Sequence, residues 1–177
     1  MNREQLEHAI RSACEISGDN ELYIFGSQAI LGEFPHADGK LTRSIEIDVS
    51  PKHKPETVDR IDGALGENSP FHHTHGFYVH GVSIETAVLP EGWEERTVKV
   101  QDYMNENNIG WCIEIHDLAA SKLIAFREKD IEFVRTLLLE NLIDIEILLK
   151  RLGLIQKDNA LKTRAINWAK RIKTELR

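Results

Sequence analysis

One segment constrains the fold more than any other: a short apolar run that leads directly into Gly-Ser. Leu22-Tyr23-Ile24-Phe25 has the length and residue types of a buried strand, and Gly26-Ser27 follows it at once. Gln28-Ala29-Ile30-Leu31 then has the pattern of a short helix beginning. A small-residue turn before a helix presents backbone N–H groups and a hydroxyl, and glycine lets a phosphate approach the backbone. This segment predicts a strand–turn–helix unit that is suited to phosphate.

A second strand is predicted over Ser44 to Val49, where apolar and charged residues alternate strictly. The alternation places Glu46 and Asp48 on the face opposite Ile45, Ile47 and Val49. Two carboxylates side by side repel each other and need a cation nearby. Such oxygen ligands suit Mg²⁺, which is usually held by one or two carboxylates together with substrate phosphates. Alone, the turn is more often ordinary and the acids more often a solvated face; together they predict equipment for nucleotidyl transfer.

The chain changes character near residue 117, from mixed α/β to helical. Further strands are predicted over Phe77–Val82, Ile84–Leu89, Thr97–Val100 and Trp111–Ile115. Asp117 is the predicted N-cap of the first helix of the C-terminal part. No linker rich in Gly, Pro or Ser separates the parts. We therefore expect an α+β protein in which residues 1–116 form a core with a small mixed sheet and residues 117–177 form a helical region packed on it.

The charge of the chain is distributed unevenly. The 177 residues include 29 acidic and 22 basic side chains, which gives a net charge of -7. Residues 150–177, however, contain nine basic and two acidic side chains. The acidic balance argues against a protein that coats nucleic acid in general, whereas the basic C-terminal part permits local contact with tRNA or other phosphates.

Several protein classes are disfavoured by composition. Cys14 and Cys112 form no CxxC pair, which argues against a disulfide scaffold or a zinc ribbon and favours a reducing, cytoplasmic location. No apolar run reaches the roughly 18–20 residues that cross a bilayer, so no membrane partner is expected. The polar N-terminal segment has no apolar signal-peptide core, so we do not expect secretion.

Two sets of residues resemble a known family. Ile24-Phe25-Gly26-Ser27 followed by Ser44-Ile45-Glu46-Ile47-Asp48-Val49 resembles the hG[GS] … [DE]h[DE]h signature of the polymerase-beta-like nucleotidyltransferase superfamily. His116-Asp117-Leu118-Ala119-Ala120-Ser121-Lys122-Leu123 and then Arg127-Glu128-Lys129-Asp130 are similar to the D-L-x-x-x-K-L … R-x-K-D segment of the abortive-infection (AbiEii-like) toxin nucleotidyltransferases and their bacterial relatives. The resemblance spans about residues 21–145.

The resemblance implies a nucleotidyltransferase fold and a role for each matched residue. Gly26 and Ser27 would hold the triphosphate of a nucleoside triphosphate, and Glu46 and Asp48 would bind Mg²⁺. The acceptor would be a hydroxyl of a tRNA or of a protein, and a neighbouring antitoxin would be the genetic partner. The alternative is a catalytically inactive relative of the same fold that binds a nucleotide or a partner.

The helical half of the resemblance implies a phosphate-binding lysine. Lys122 would neutralise a phosphate of the incoming nucleotide, with Arg127 and Asp130 nearby. We expect Lys122 to face the same cleft as Glu46 and Asp48. Taken without the resemblance, Lys122 would be an ordinary solvated lysine of a helix.

Many enzymes of this kind use a third carboxylate as a metal ligand or as the base that deprotonates the attacking hydroxyl. Glu85 is the leading candidate because it lies on the predicted strand Ile84–Leu89. Glu114 and Asp130 are the rival candidates. The sequence does not decide among the three.

A run of histidines lies between residues 71 and 80: His72, His73, His75 and His80. Zinc needs three or four convergent ligands, and this run has neither an HExxH motif nor a nearby cysteine, so a zinc site is not favoured. One reading makes these histidines a polar lining of the cleft, with His72 or His75 reaching substrate. The other makes them ordinary surface residues.

Overall fold

Five strands form one mixed sheet in the computed structural model, which describes residues 1–101, 107–156 and 159–175. They are β1 (Glu21–Phe25), β2 (Glu46–Pro51), β3 (Tyr78–Gly81), β4 (Val98–Gln101) and β5 (Ile109–Cys112). The order across the sheet is β3-β2-β1-β5-β4. β1 is antiparallel to β2 and parallel to β5, β2 is parallel to β3, and β4 is antiparallel to β5. This mixed sheet, with its helices, confirms the predicted α+β class and a nucleotidyltransferase fold.

The sheet belongs to a compact unit made of Met1–Thr86 and Thr97–Ile113. Its helices are α1 (Arg3–Ser17), α2 (Ile30–Glu33), α3 (Val58–Leu65) and α4 (Pro70–His75). α1 begins with a capping box in which Asn2 and Gln5 each accept a hydrogen bond from the other's backbone N–H. It ends at Gly18, whose φ of 68° is the left-handed conformation that glycine adopts most easily.

One face of the sheet is the apolar core of this unit. Ile24 pairs with Val49 between β1 and β2, Ile47 pairs with Val79 between β2 and β3, and all four side chains are fully buried. Ile10 of α1 and Ile61 of α3 pack directly against the backbone of the strands on this side. Because side chains alternate along a strand, the acids of β2 are directed to the opposite face.

Ala87–Arg96 and Glu114–Arg177 form a second compact unit, which is mainly helical. Its helices are α5 (Ile115–Ala125), α6 (Glu128–Leu139), α7 (Ile145–Gly153) and α8 (Asn159–Glu175). Buried side chains from all four make its core: Leu118, Leu123, Val134, Leu137, Leu148, Leu152, Ala165, Trp168 and Ile172. Within the described ranges, no helix combines the length and apolar character that crossing a membrane requires. The predicted division into 1–116 and 117–177, with packing between them, stays a prediction.

Two predicted elements are wrong or displaced. The predicted strand Ile84–Leu89 is instead a 3₁₀ turn over Ile84–Thr86. The predicted strand Trp111–Ile115 lies earlier, at Ile109–Cys112, because α5 already begins at Ile115. Asp117 is accordingly not the N-cap of α5; Glu114 is, and its side chain accepts a hydrogen bond from the backbone N–H of Asp117.

Candidate active site

The turn after β1 requires glycine at its first residue. Gly26 has φ 66° and ψ -171°, a backbone conformation that is essentially restricted to glycine. A Cβ at this position would lie 1.9 Å from Oδ2 of Asp48. A 3₁₀ turn over Ser27–Ala29 follows and leads into α2. Because Gly26 has no Cβ, the backbone can lie close to the carboxylate of Asp48. This contact explains why glycine follows the strand.

β2 places the two predicted acids side by side on one face. Asp48 is the cross-strand partner of Phe25, which brings its carboxylate beside Gly26 at the end of β1. Glu46 lies two residues earlier on the same face. Their side chains are 35% (Glu46) and 25% (Asp48) exposed, so both are open to a ligand. The structure thus brings together the Gly-Ser turn and the Glu-x-Asp pair.

His80 joins the two acids from the neighbouring strand. β3 is parallel to β2, and the register pairs His80 with Asp48. Nδ1 of His80 lies 3.1 Å from Oε1 of Glu46 and 3.1 Å from Oδ1 of Asp48. The ligand atoms of the three side chains all lie within 4.8 Å of one another. Two carboxylates and an imidazole are a donor set that a divalent cation can use.

The sequence leaves the role of His80 open and does not connect this residue with the acids. The alternation Tyr78–His80 on a strand was a usable signal, since it places both side chains on one face. The missing fact was the strand order and register, because nothing in the sequence states that residue 80 lies opposite residue 48.

Tyr78 borders the acids on the same face of β3, where it is the cross-strand neighbour of Glu46. Burial, the negative charges of Glu46 and Glu67, and a hydrogen bond to Glu46 raise the pKa of Tyr78 to about 12. The phenol therefore stays protonated at neutral pH and can donate to Glu46. The ring of His72 lies 5.0 Å from that of Tyr78, centroid to centroid, which places one of the predicted cleft histidines near this edge.

The other histidines of the run have different neighbours. His75 packs against His8 of α1, with ring centroids 4.5 Å apart, and against Phe71, at 4.6 Å. His73 is exposed and stacks beside His72 at 5.9 Å. The run is therefore divided between an aromatic contact with α1 and the neighbourhood of Tyr78.

Glu85 is not on a strand. It is exposed in the 3₁₀ turn Ile84–Thr86, where its backbone N–H donates to Oγ of Ser83. The backbone N–H of Thr86 donates to the carbonyl of Ser83, which closes the turn. The hydroxyl of Ser83 accepts a hydrogen bond from the backbone two residues later, and such local hydrogen bonds compete with strand pairing. This competition explains why the predicted strand does not form.

The rival carboxylate Glu114 is engaged within the helical unit. Its side chain caps α5 and is hydrogen-bonded to Nδ1 of His116. Burial tends to raise its pKa, but the hydrogen bonds from His116 and from the backbone hold the pKa of Glu114 below its usual value. Nε2 of His116 accepts a hydrogen bond from the backbone N–H of Asp144 at 2.9 Å. Glu114 therefore has a structural role at the start of α5.

The three residues carried over from the helical half of the resemblance lie together. Asp130 is fully buried, with Nζ of Lys122 at 3.2 Å and Nε of Arg127 at 2.6 Å from its two oxygens. Nζ of Lys122 also lies 4.7 Å from the centroid of the Phe133 ring. Burial tends to raise the pKa of Asp130, but Arg127 and Lys122 hold it below its usual value. The expected approach of Lys122 to Glu46 and Asp48 stays a prediction.

In a comparison with protein families, residues 4–176 match a family described as "Nucleotidyltransferase of unknown function (DUF6036)". The chain belongs to this family. Membership in DUF6036 supports the predicted nucleotidyltransferase superfamily over nearly the whole chain, including both the sheet and the helices. No curated protein and no solved structure was found to match.

Proposed function

We propose that this member of DUF6036 is a metal-dependent nucleotidyltransferase that moves a nucleotide from a nucleoside triphosphate to an acceptor hydroxyl. The observation that carries the proposal is the packing of Gly26 against the carboxylate of Asp48, with Glu46 beside it. This contact brings an accessible backbone turn and two acids together. Nucleotidyl transfer requires both features, whereas a strand face that is merely solvated requires neither.

Glu46 and Asp48 would hold the cation, proposed from the sequence as Mg²⁺. A divalent ion bound there would offset the negative charge of the phosphates during transfer. The turn at Gly26 and Ser27 would hold the triphosphate, as the resemblance implies, and the carboxylate of Asp48 takes the space that a Cβ would fill at Gly26. The acceptor oxygen would then attack the α-phosphorus, its bond forming as the bond to pyrophosphate breaks.

Lys122, which belongs to the helical unit, would offset the negative charge of a phosphate of the nucleotide. Asp130 lies within ion-pair distance of two cations, Lys122 and Arg127. Asp130 would fix the position of the lysine by holding its ammonium.

Glu85 remains our candidate for the base that deprotonates the acceptor. It belongs to the same compact unit as Glu46 and Asp48, whereas Glu114 and Asp130 are held by partners in the helical unit. Its exposure leaves the carboxylate accessible to an acceptor.

The biological setting that we propose is that of the AbiEii-like toxins. The support is the resemblance of the segment from His116 to Asp130, and it implies a cytoplasmic enzyme, a tRNA or protein acceptor and an antitoxin partner. The basic C-terminal part of the chain suits an RNA acceptor. The alternative is a relative that binds the nucleotide or a partner without turnover.

Incubation of the purified protein with labelled triphosphates, Mg²⁺ and total RNA or cell lysate tests the proposal. The expected result is label on RNA or on a protein with the wild type, and none with Asp48→Asn. Asp59→Asn is the matched control, because Asp59 is an exposed acid of α3 and should leave transfer unchanged. Triphosphate binding without any labelled product would favour the non-catalytic alternative, and no triphosphate binding would exclude the enzyme and leave only a relative that binds a partner.

A further inference from the structure

The position of His80 is fixed by the sheet and not by a flexible loop. β3 pairs with β2 in parallel, so His80 lies beside Asp48 and shares its face of the sheet. Its side chain is 40% exposed, which leaves room for a ligand above the three side chains. A residue held by two paired strands presents its ring with a defined direction, as a metal ligand must.

The distances match those between neighbouring ligands of one ion. Ligands at right angles around an octahedral ion, each about 2.1 Å from it, are about 3.0 Å apart. Nδ1 of His80 is 3.1 Å from Oε1 of Glu46 and 3.1 Å from Oδ1 of Asp48. One ion could therefore bind Nδ1 of His80 together with both carboxylates and keep further positions for water and phosphate oxygens.

In this site, the third side chain beside the two acids is an imidazole and not a carboxylate. Glu85 is in an exposed turn, and Glu114 and Asp130 are held by partners in the helical unit. His80, in contrast, already contacts both acids. The change from oxygen to nitrogen matters for the identity of the ion, because Mg²⁺ prefers oxygen ligands and water, whereas imidazole favours transition metals.

We propose that His80 is the third protein ligand of the cation held by Glu46 and Asp48, and that it makes the site select a divalent transition metal such as Mn²⁺ over Mg²⁺. This inference rests on the proposed function, since it assumes that the two acids bind a metal. It adds a ligand that the sequence motif does not contain and changes the expected ion.

Metal affinity measured without catalysis tests the proposal. Electron paramagnetic resonance of free Mn²⁺ gives the Kd for Mn²⁺, and competition gives that for Mg²⁺, each with and without a non-hydrolysable triphosphate. We expect wild type to bind Mn²⁺ at least about tenfold more tightly than Mg²⁺. His80→Ala should weaken Mn²⁺ binding about tenfold or more and weaken Mg²⁺ binding less.

Two further variants complete the design. His80→Asp restores an all-oxygen site, so it should retain Mg²⁺ binding and lose most of the preference for Mn²⁺. His36→Ala is the matched control, because His36 is an exposed histidine of the loop after α2 and should leave both affinities unchanged. Circular dichroism would check that each variant is folded.

The outcomes separate this inference from the function on which it rests. Equal Mn²⁺ affinity in wild type and His80→Ala, or no preference for Mn²⁺ in wild type, would overturn the role of His80. If Asp48→Asn still abolished metal binding in that case, the proposed function would stand. Metal binding that survives Asp48→Asn, or no metal binding to wild type at all, would overturn both.

Discussion

Two pairs of acids, one pair in each unit, are stabilised in opposite ways. In the helical unit, Asp117 and Asp130 are fully buried and each faces two cations: Arg96 and Arg151 for Asp117, Lys122 and Arg127 for Asp130. In the sheet unit, Glu46 and Asp48 are part-exposed and share the imidazole of His80.

This difference separates acids that hold the fold from the acids that we propose bind a ligand. A buried carboxylate without cations would be too costly, so the chain supplies its own partners in the helical unit. The shared imidazole of His80 can balance at most one of the two negative charges of Glu46 and Asp48. The remaining negative charge, next to a backbone turn with no Cβ, is what an external cation would neutralise.

Removal of a buried acid should have the largest effect on stability. Asp117→Ala leaves Arg96 and Arg151 without the buried carboxylate that both contact, and breaking a buried ion pair typically costs about 3–5 kcal/mol. Urea unfolding would show this as a lower free energy of unfolding. Asp59→Ala, at an exposed position of α3, should change it by less than about 0.5 kcal/mol. Equal effects of the two substitutions would remove the contrast between the units.

A side chain at Gly26 should disturb the fold and the site together. Gly26→Ala combines a φ of 66° with a Cβ 1.9 Å from Oδ2 of Asp48, so we expect a loss of about 1–3 kcal/mol and displacement of the carboxylate. Metal binding should fall with it. Gly39→Ala is the control, since nothing lies within 4 Å of a Cβ there. An unaffected metal affinity in Gly26→Ala would show that the contact with Asp48 has no functional role.

Lys122 tests whether the helical unit serves the same nucleotide. Lys122→Ala should weaken nucleotide binding about tenfold and metal binding much less, because the lysine would offset phosphate charge and would not touch the ion. Lys122→Arg should not restore full affinity, since a guanidinium differs in shape from a compact ammonium. Lys129→Ala, an exposed lysine of α6, is the control. Titration with a labelled triphosphate measures this, and unchanged affinity would limit Lys122 to holding Asp130.

The last expected effect is a pH dependence of stability at the far end of β1. Hydrogen bonds from Lys52 and Trp111 lower the pKa of Glu21 from 4.5 to about 2. Its contribution to stability is therefore complete above pH 4.5 and is lost as the pH falls from there to about 2. The difference in free energy of unfolding between wild type and Glu21→Gln should narrow over that range. A difference that stays constant would mean that the carboxylate contributes no charge-dependent stability.

Most of the sheet unit could be predicted from local patterns. The alternation around Glu46 and Asp48 gives β2 its two faces, and the apolar run before Gly26 gives β1. The turn at Ser83 could not be separated from a strand, because the residues that follow it are compatible with both.

The sequence does not reveal which residues of different strands lie beside each other. The pairing of His80 with Asp48 depends on strand order and register, which no short motif encodes. The sequence places the start of α5 too late because aspartate is a preferred N-cap residue and glutamate is not, whereas the structure shows that Glu114 caps the helix and that Asp117 is buried between arginines.

The central claim is that Glu46 and Asp48 carry negative charge which the fold leaves for an external cation. Thermal unfolding of wild type and Asp48→Ala, with and without Mn²⁺ or Mg²⁺ and a non-hydrolysable triphosphate, tests it most directly. Without ligands, Asp48→Ala should have a Tm equal to or above that of wild type, because repulsion between the acids is relieved. With ligands, the Tm of wild type should rise and that of the variant should not. A variant that is destabilised without ligands, or that shifts as much as wild type with them, would contradict the account.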